Sequence, residues 1–440
     1  MQISRPAYTV SLILITGAAL ALRLYGIGAD EMWYDETVAA VAAMDPVRDI
    51  LAGVRDARNP PLYFLLLHFW IKLFGITEAG VRSMSAVLGT ALVAGTGVAG
   101  TRLFSRGAGL SAAAIAAVAP LAVCYSMEAR CYSLLALLAL WHVYSIASLA
   151  QGDSPRRWLG FVVSGILLGY THAWGLFMLP AANFVFIAAP LRKRYLKLIV
   201  AQAVVAAALA PFWLWMTGGT SLQLGSWVAD LWSQLRFGEA FLDTLSGLGA
   251  GGAYSKLIFR LYREPVPPLH YLALAFWIAL LVLGAARRPG RAVTTQDENE
   301  NTSRPPPAPP VLIKNKYAVL TVVSALAVPL VIGFAVSVAW QPVYLAGRTD
   351  FVVAPAFFLL AGAGVSRLNP KILTAAFCFI ILLSAYNLLH FYSRPPFDAR
   401  RATARFIISG ATPRDTVVCT GSTCFPLVYY LERYRETREI

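Results

Sequence analysis

Residues 60–75 read PPLYFLLLHFWIKLFG, an apolar run that opens on two prolines and carries His68 and Lys72. A helix needs about 20 apolar residues to cross about 30 Å of hydrocarbon, so this run is short for a span. Its assignment sets the sidedness of everything that follows. If it lies along the interface as an amphipathic helix, then Arg5, Arg102/Arg106, Arg156/Arg157, Arg192–Lys197, Arg287–Arg291 with Lys314/Lys316, and Arg367/Lys371 all fall on one side of the membrane. Short basic loops face the cytoplasm. If the run crosses, every later loop flips and the basic clusters after Arg5 point outward. The interfacial reading is therefore adopted.

The bulk composition agrees with a polytopic membrane protein. Of 440 residues, 58% are hydrophobic and 14% charged, and the mean hydropathy is +0.61, which excludes an ordinary water-soluble globule. The first apolar stretch, YTVSLILITGAALALRLYGI, has span length and no clear small-residue cleavage site behind it, so it reads as a first span and not as a signal peptide. A net charge of +14 would suggest nucleic acid in a soluble protein, but here the basic residues sit in short clusters between apolar runs. No nucleic-acid partner is expected. Five cysteines are too few for a disulfide scaffold. Cys124, Cys131 and Cys378 read as small core residues. Cys419 and Cys424 lie five apart in a polar tail and are free to pair if that tail is outside the cytosol, so paired and unpaired states both stay open.

Span-length runs lie near 8–27, 81–101, 108–126, 132–150, 158–171, 174–190, 197–216, 269–286, 317–339, 350–366 and 371–391. The expectation is an all-α polytopic bundle of about 11 transmembrane helices. Its N-terminus is inside and its C-terminus outside. Residues 1–393 form the membrane module, with a first external loop at 28–79 that contains the interfacial helix, a further external loop at 217–268 and a disordered cytoplasmic loop at 287–316. Residues 394–440 form a short external tail that reads as a strand, DTVVCTGS, followed by a helix. The runs 158–171 and 174–190 are short or interrupted, so the count can shift by one.

With this topology the polar residues that sit awkwardly in an apolar chain share one face. Residues 29–40, ADEMWYDETVAA, carry Asp30, Glu31, Asp35 and Glu36. Asp30 and Glu31 read as solvated, whereas Asp35 and Glu36 lie between Trp33/Tyr34 and an apolar run where an idle carboxylate is costly. Glu128 and Arg130 fall in the second external loop, and His172 and Arg348 come out on the same side. Each has a bland reading too. Glu128 and Arg130 can be a structural ion pair, His172 an interfacial histidine, Arg348 an interfacial anchor, Trp33, Tyr34 and Tyr63 an aromatic belt, and Lys72 and Arg58 solvated charges. Taken together, the set suits transfer from a lipid-phosphate donor: a carboxylate takes a proton from an incoming nucleophile, arginine binds the departing phosphate, and aromatics stack on a sugar.

The segments ADEMWYDETVAA, NPPLYFLLLHFW, CYSMEARCYSLLALLAL, YTHAWGLF and AGRTDFVVAPAFFLLAG occur in an order that resembles bacterial members of glycosyltransferase family 39. That family belongs to the GT-C class, alongside protein O-mannosyltransferases and lipid A aminoarabinose transferases. The resemblance covers residues 8–190 well and 317–370 loosely. It implies an inverting enzyme of the inner (plasma) membrane, using a polyprenyl-phosphate-linked sugar and an extracytoplasmic acceptor. It gives Asp35 the role of base, makes Glu36 the second member of an Asp-Glu pair, and gives Glu128 the place of an acid that supports the site or a cation. Asn59 stands where the O-mannosyltransferases have a histidine. A divalent ion, Mg²⁺ or Mn²⁺, between Glu36 and Glu128 is an option on ligand chemistry, with no ligand set assigned. A transporter is the rival from another class, and it should show repeats and midplane charges. A lipid-linked oligosaccharide polymerase or ligase is the second rival, through Arg236, Arg260 and Arg263. The donor sugar and the acceptor have no readable motif.

Overall fold

Side-chain caps mark where apolar runs become helices. Ser4, Thr77, Ser105 and Asn369 each accept a hydrogen bond from the backbone N–H three residues on, opening helices at Arg5, Glu78, Arg106 and Pro370. The computed structural model describes residues 3–53, 59–188, 191–218, 232, 239–250, 268–286, 315–393, 399–412 and 414–437. Its helices are α1 (Arg5–Leu24), α2 (Tyr34–Met44), α3 (Val47–Leu51), α4 (Leu62–Phe74), α5 (Glu78–Leu103), α6 (Arg106–Val118), α7 (Pro120–Ser126), α8 (Tyr132–Gln151) and α9 (Pro155–Gly169). They continue as α10 (Ala181–Ala188), α11 (Tyr195–Gly218), α12 (Glu239–Ala250), α13 (Pro268–Ala285), α14 (Asn315–Ala339), α15 (Ala354–Val365), α16 (Pro370–Tyr392), α17 (Ala399–Gly410) and α18 (Cys424–Thr437). Short 3-10 turns at Ala173–Met178 and Thr349–Val353 lead into α10 and α15.

Every apolar run read from the sequence is largely helical over its described residues. Six helices have the length and apolarity to cross a membrane, and the pair α6 and α7, bent by 62°, makes a seventh if it is one span. The remaining runs, at 155–169, 173–188, 268–285 and 349–365, are shorter or less apolar, so the expected count of about eleven is not established by length and composition. Helix α4 has 13 residues, about 20 Å at 1.5 Å per residue and too short to cross. It buries Tyr63, Phe64, Leu67, His68 and Ile71 and exposes Leu66, Phe69 and Leu73, the two-sided pattern of an interfacial helix.

Small residues let the core helices approach closely. A Cβ on Gly109 would meet the Gly97 carbonyl at 2.4 Å, one on Gly362 the Ala112 nitrogen at 2.5 Å, and one on Gly364 the Leu280 carbonyl at 2.1 Å. These contacts lock α5, α6, α13 and α15 together. The break at Ala119–Pro120 frees carbonyls that a continuous helix would satisfy. Arg23, fully buried near the end of α1, donates to the Ala116 and Ala117 carbonyls at 3.1 Å each and to Ser126 Oγ at 3.1 Å.

The two ends of the bundle differ in chemistry. At one end Arg106 reaches the Ile3 carbonyl, Arg157 and Arg194 bond to Ser148 and Leu149, Lys197 pairs with Asp153, and Arg367 caps Leu283 and Ala286. The other end gathers the first loop, the turn after α7, the α9 turn, the segment before Thr349 and the tail. The basic side chains of these loops thus lie at the end of the bundle away from the acids of the first loop.

The tail departs from expectation. Among the described residues there is no strand. Residues 415–420 of DTVVCTGS have no regular secondary structure, and the stretch ends in a 3-10 turn at Gly421–Thr423; a lone strand has no independent stability. Cys419 and Cys424 form a disulfide, with Cα atoms 5.2 Å apart. The expected disordered loop at 287–316 and the loop at 217–268 with Arg236, Arg260 and Arg263 fall largely or wholly outside the described residues.

Candidate active site

Helix α2 sets two adjacent acids in its first turn, where the exposed N–H groups favour negative charge. Successive helical residues point about 100° apart, and Asp35 and Glu36 have different surroundings. Glu36 is fully buried. Arg82 of α5 grips it with two parallel hydrogen bonds, Nε to Oε1 and Nη2 to Oε2, both at 2.7 Å. The Ala129 N–H donates to Oε1 at 2.8 Å, and the Trp33 N–H to Oε2 at 3.3 Å. Arg82 also donates to the carbonyls of Ile27, Asp30 and Glu31 at 3.0, 2.9 and 3.1 Å. Glu36 thus ties the first loop to α5 and to the turn after α7. The catalytic role expected for it is withdrawn, because neither oxygen is left for substrate.

Asp35 keeps one-fifth of its side chain exposed. Its Oδ2 contacts the Arg348 guanidinium, and Arg130 Nη2 lies 3.7 Å from the same oxygen. Arg348 Nε donates to Tyr132 Oη at 2.8 Å. The Arg348 guanidinium also stacks over Trp33 at 5.5 Å, and Arg130 over Tyr132 at 5.8 Å. Burial opposes the charge on both arginines, but the Tyr132 oxygen and the Asp35 carboxylate outweigh it and hold both above the usual arginine value. The result is one carboxylate flanked by two guanidiniums at an aromatic rim.

Arg348 stands on a pinned segment. Gly347 adopts φ +74°, a left-handed conformation that glycine tolerates without strain. Its N–H donates to Asp350 Oδ2 at 3.0 Å, and its carbonyl accepts from Tyr125 Oη. Asp350 in turn accepts from Thr244 of α12, which bonds Tyr344 Oη at 2.6 Å. Ser337 Oγ accepts from the Val343 and Tyr344 N–H groups at 3.0 and 2.9 Å, and Trp174 Nε1 donates to the Val343 carbonyl at 3.0 Å.

The remaining expected residues divide. Glu128 sits half-buried in the turn 127–131, and its Oε2 has no hydrogen-bond partner among the described residues. Burial pushes its carboxyl up to about 8; Glu36 adds to the rise, and Arg348 and Arg130 oppose it. It forms no ion pair with Arg130, which turns to Asp35. His172 caps the 3-10 turn at Ala173, its Nδ1 accepting from the Trp174 N–H at 3.1 Å. Burial, aided by Arg130 and Arg348, lowers it to about 3, so it is neutral and cannot bind phosphate as a cation. Tyr63, 1% exposed, bonds Ser85 Oγ at 3.0 Å, and Ser85 donates to the Arg130 carbonyl at 3.3 Å. It steadies Arg130 and presents no open face for a sugar. It also lines a small cavity with Asn59, Pro60, Phe64, Arg130 and Thr171. Tyr34, half-buried, packs edge-on against Phe425 of the tail. Lys72 is exposed, its ammonium over Phe69 at 5.6 Å. It lies nine residues beyond Tyr63, half a turn out of phase, and so points away from the site. Arg58 lies outside the described residues.

A divalent ion between Glu36 and Glu128 does not fit these residues, since Arg82 occupies both Glu36 oxygens. Among the described residues no group of three His, Cys, Asp or Glu side chains could hold a metal. Arg82, Tyr132, Asp350 and Thr244 went unread in the sequence. Arg82 left a signal, a lone charge just inside an apolar run, which usually marks an ion-paired or functional position.

Helical throughout its described residues, the chain is a multi-pass membrane protein with the GT-C fold. Residues 58–215 match the family model described as dolichyl-phosphate-mannose-protein mannosyltransferase. ArnT from Cupriavidus metallidurans in the apo state superposes with a TM-score of 0.55 at 14% identity, over 98% of this chain and 76% of that one. The same enzyme bound to undecaprenyl phosphate gives 0.55 at 15%, over 96% and 75%. The oligosaccharyltransferase AglB from Archaeoglobus fulgidus, in complex with an inhibitory peptide and a dolichol-phosphate, gives 0.53 at 11%, over 96% of this chain and 59% of that one. At these identities the likeness is one of fold. Among curated proteins no sequence match was found.

Proposed function

We propose that this protein is a membrane glycosyltransferase that moves a sugar from a polyprenyl-phosphate donor to an acceptor on the extracytoplasmic face, with inversion at the anomeric carbon and Asp35 as base. The observation that carries the proposal is the placement of the Asp35 carboxylate against Arg348 and beside Arg130 at one end of the bundle. The fold shared with ArnT, solved with undecaprenyl phosphate, supports the donor class. The family match over residues 58–215 supports the sugar chemistry. The gathering of basic loops at the opposite end, and the disulfide in the tail, support an extracytoplasmic site in the plasma membrane.

In this mechanism Asp35 takes the proton of the acceptor hydroxyl or amine as the acceptor atom bonds to the anomeric carbon. The bond from that carbon to the phosphate oxygen breaks, and its electron pair leaves on polyprenyl phosphate. The leaving phosphate gains one negative charge, which Arg348 is placed to neutralise. The ion pair between Arg348 and Asp35 gives the step an order. A carboxylate held by a guanidinium is a poor base, so the donor phosphate must first draw Arg348 away. The isoprenoid chain would lie in lipid beside the exposed apolar face of α4.

The test is transfer in membranes supplied with a polyprenyl-phosphate-linked sugar. Asp35→Asn should lower turnover by about 10²–10⁴-fold, the range for a lost general base, while the protein remains inserted and binds undecaprenyl phosphate. Wild-type turnover by that variant removes Asp35 from the mechanism. The transporter reading has no observation in its favour, because the unusual charges of the site lie at a bundle end and not at the midplane.

A further inference from the structure

The C-terminal tail grips the loop that carries Asp35. Glu31, four residues before Asp35, has its side chain 1% exposed. It accepts from the Arg400 N–H at 2.7 Å and the Arg401 N–H at 3.4 Å, which belong to the first turn of α17, and from Arg400 Nη1 at 2.6 Å. A carboxylate from the first loop therefore caps a helix at the far end of the chain. Arg401 Nη2 donates to the Ala29 carbonyl at 2.9 Å. Glu78, 3% exposed at the start of α5, pairs with Arg401 at 2.9 Å and with Arg433 of α18 at 2.5 Å. Tyr430 Oη accepts from the Met32 N–H at 2.7 Å, and Tyr429 Oη donates to the Ile76 carbonyl at 2.6 Å. Residues 29–34 are thus held on one side by Arg82 of α5 and on the other by α17 and α18.

We infer that Arg400, Arg401 and Arg433 are positioning residues for Asp35, so that the tail is part of the catalytic apparatus and not an appendage. None of the three touches the reacting carboxylate. They neutralise two buried acids, Glu31 within the loop and Glu78 beside it, and uncompensated buried carboxylates would draw water and loosen the loop. This inference rests on the reading of Asp35 as the base.

Hydrogen exchange on the full-length protein tests it without needing turnover. In Arg400→Ala/Arg433→Ala, amide exchange across residues 29–36 should rise about tenfold or more, while exchange in α8 stays at its wild-type rate. In the same variant kcat should fall about tenfold, with the donor KM within about twofold, because the base is displaced and the phosphate site is intact. Arg400→Lys, which keeps the charge, should return most of the loss. Tyr430→Phe is the milder variant. It removes the hydrogen bond from Met32 and the 3.3 Å bond to Glu78, whose two arginine partners remain, and keeps the ring packing, so it should quicken exchange at the Met32 amide with little change in melting temperature. Unchanged exchange at 29–36 in both variants overturns the inference. So does faster exchange with unchanged kcat. If the wild type shows no transfer, the proposed function falls, and the exchange measurements still decide whether the tail holds the loop.

Discussion

Asp35 and Glu36 are neighbours in sequence, carry the same charge and each meet arginine, yet they belong to two different regions. Glu36 lies in the floor, where its oxygens are filled by Arg82 and two backbone N–H groups and nothing is exposed. Asp35 lies at the rim, where the Arg348 guanidinium is itself partly reachable and both guanidiniums are held against aromatic faces. A carboxylate becomes chemically useful when its partner can be taken over by a ligand, and structural when its partner cannot. Asp35→Asn should therefore remove transfer by about 10²–10⁴-fold with little change in melting temperature. Equal losses of stability in Asp35→Asn and Glu36→Gln would erase the distinction.

Arg82→Leu attacks the floor. It leaves Glu36 buried without its counter-charge, a change that costs about 3–5 kcal/mol, and it also releases the carbonyls of Ile27, Asp30 and Glu31. Thermal unfolding in detergent should show the loss at saturating donor as well as without it. A variant that stays stable and loses only donor affinity would move Arg82 from the floor to the rim. At the rim itself, Arg348→Lys keeps the charge and gives up the planar fork. Binding of undecaprenyl phosphate should weaken about 10–100-fold, the loss of one charge-assisted hydrogen bond, and the protein should melt as the wild type does. Unweakened binding would place the phosphate elsewhere.

The rim was largely legible in the sequence and the floor was not. Asp35, Arg130 and Arg348 announce themselves as charges and aromatics interrupting apolar runs, and the sidedness of residues 60–75 puts them at one end. Glu36 looked identical to Asp35 because its partner is 46 residues away, and no local spacing reports such a pairing. In sequence the tail reads as a strand followed by a helix. Its β-branched Val417 and Val418 have strand propensity, but propensity needs a neighbouring strand, and the pairs that give the tail its place, such as Glu31 with Arg400, span 369 residues. Lys72 was a different failure, since nine residues of helix beyond Tyr63 already put it on the opposite face.

Glu128 stands between the two regions, and its predicted effect is the smallest. Its carboxyl, raised to about 8 by burial with help from Glu36, keeps its proton in the folded protein well above the ordinary value of 4.5. The unfolded chain gives up that proton from about pH 4.5 upward, so between there and about pH 8 the folded state binds more protons. Stability contributed by the neutral form is fully present below the lower value and is lost as pH rises through the upper one. Glu128→Gln mimics the protonated group and should not share that loss. In detergent the variant should melt close to wild type at pH 5 and a few degrees above it at pH 9. A melting difference that does not move with pH would mean that Glu128 is already ionised at neutral pH and paired with Arg130 or Arg348. It would then belong to the rim, where its charge would compete with Asp35 for the same two guanidiniums.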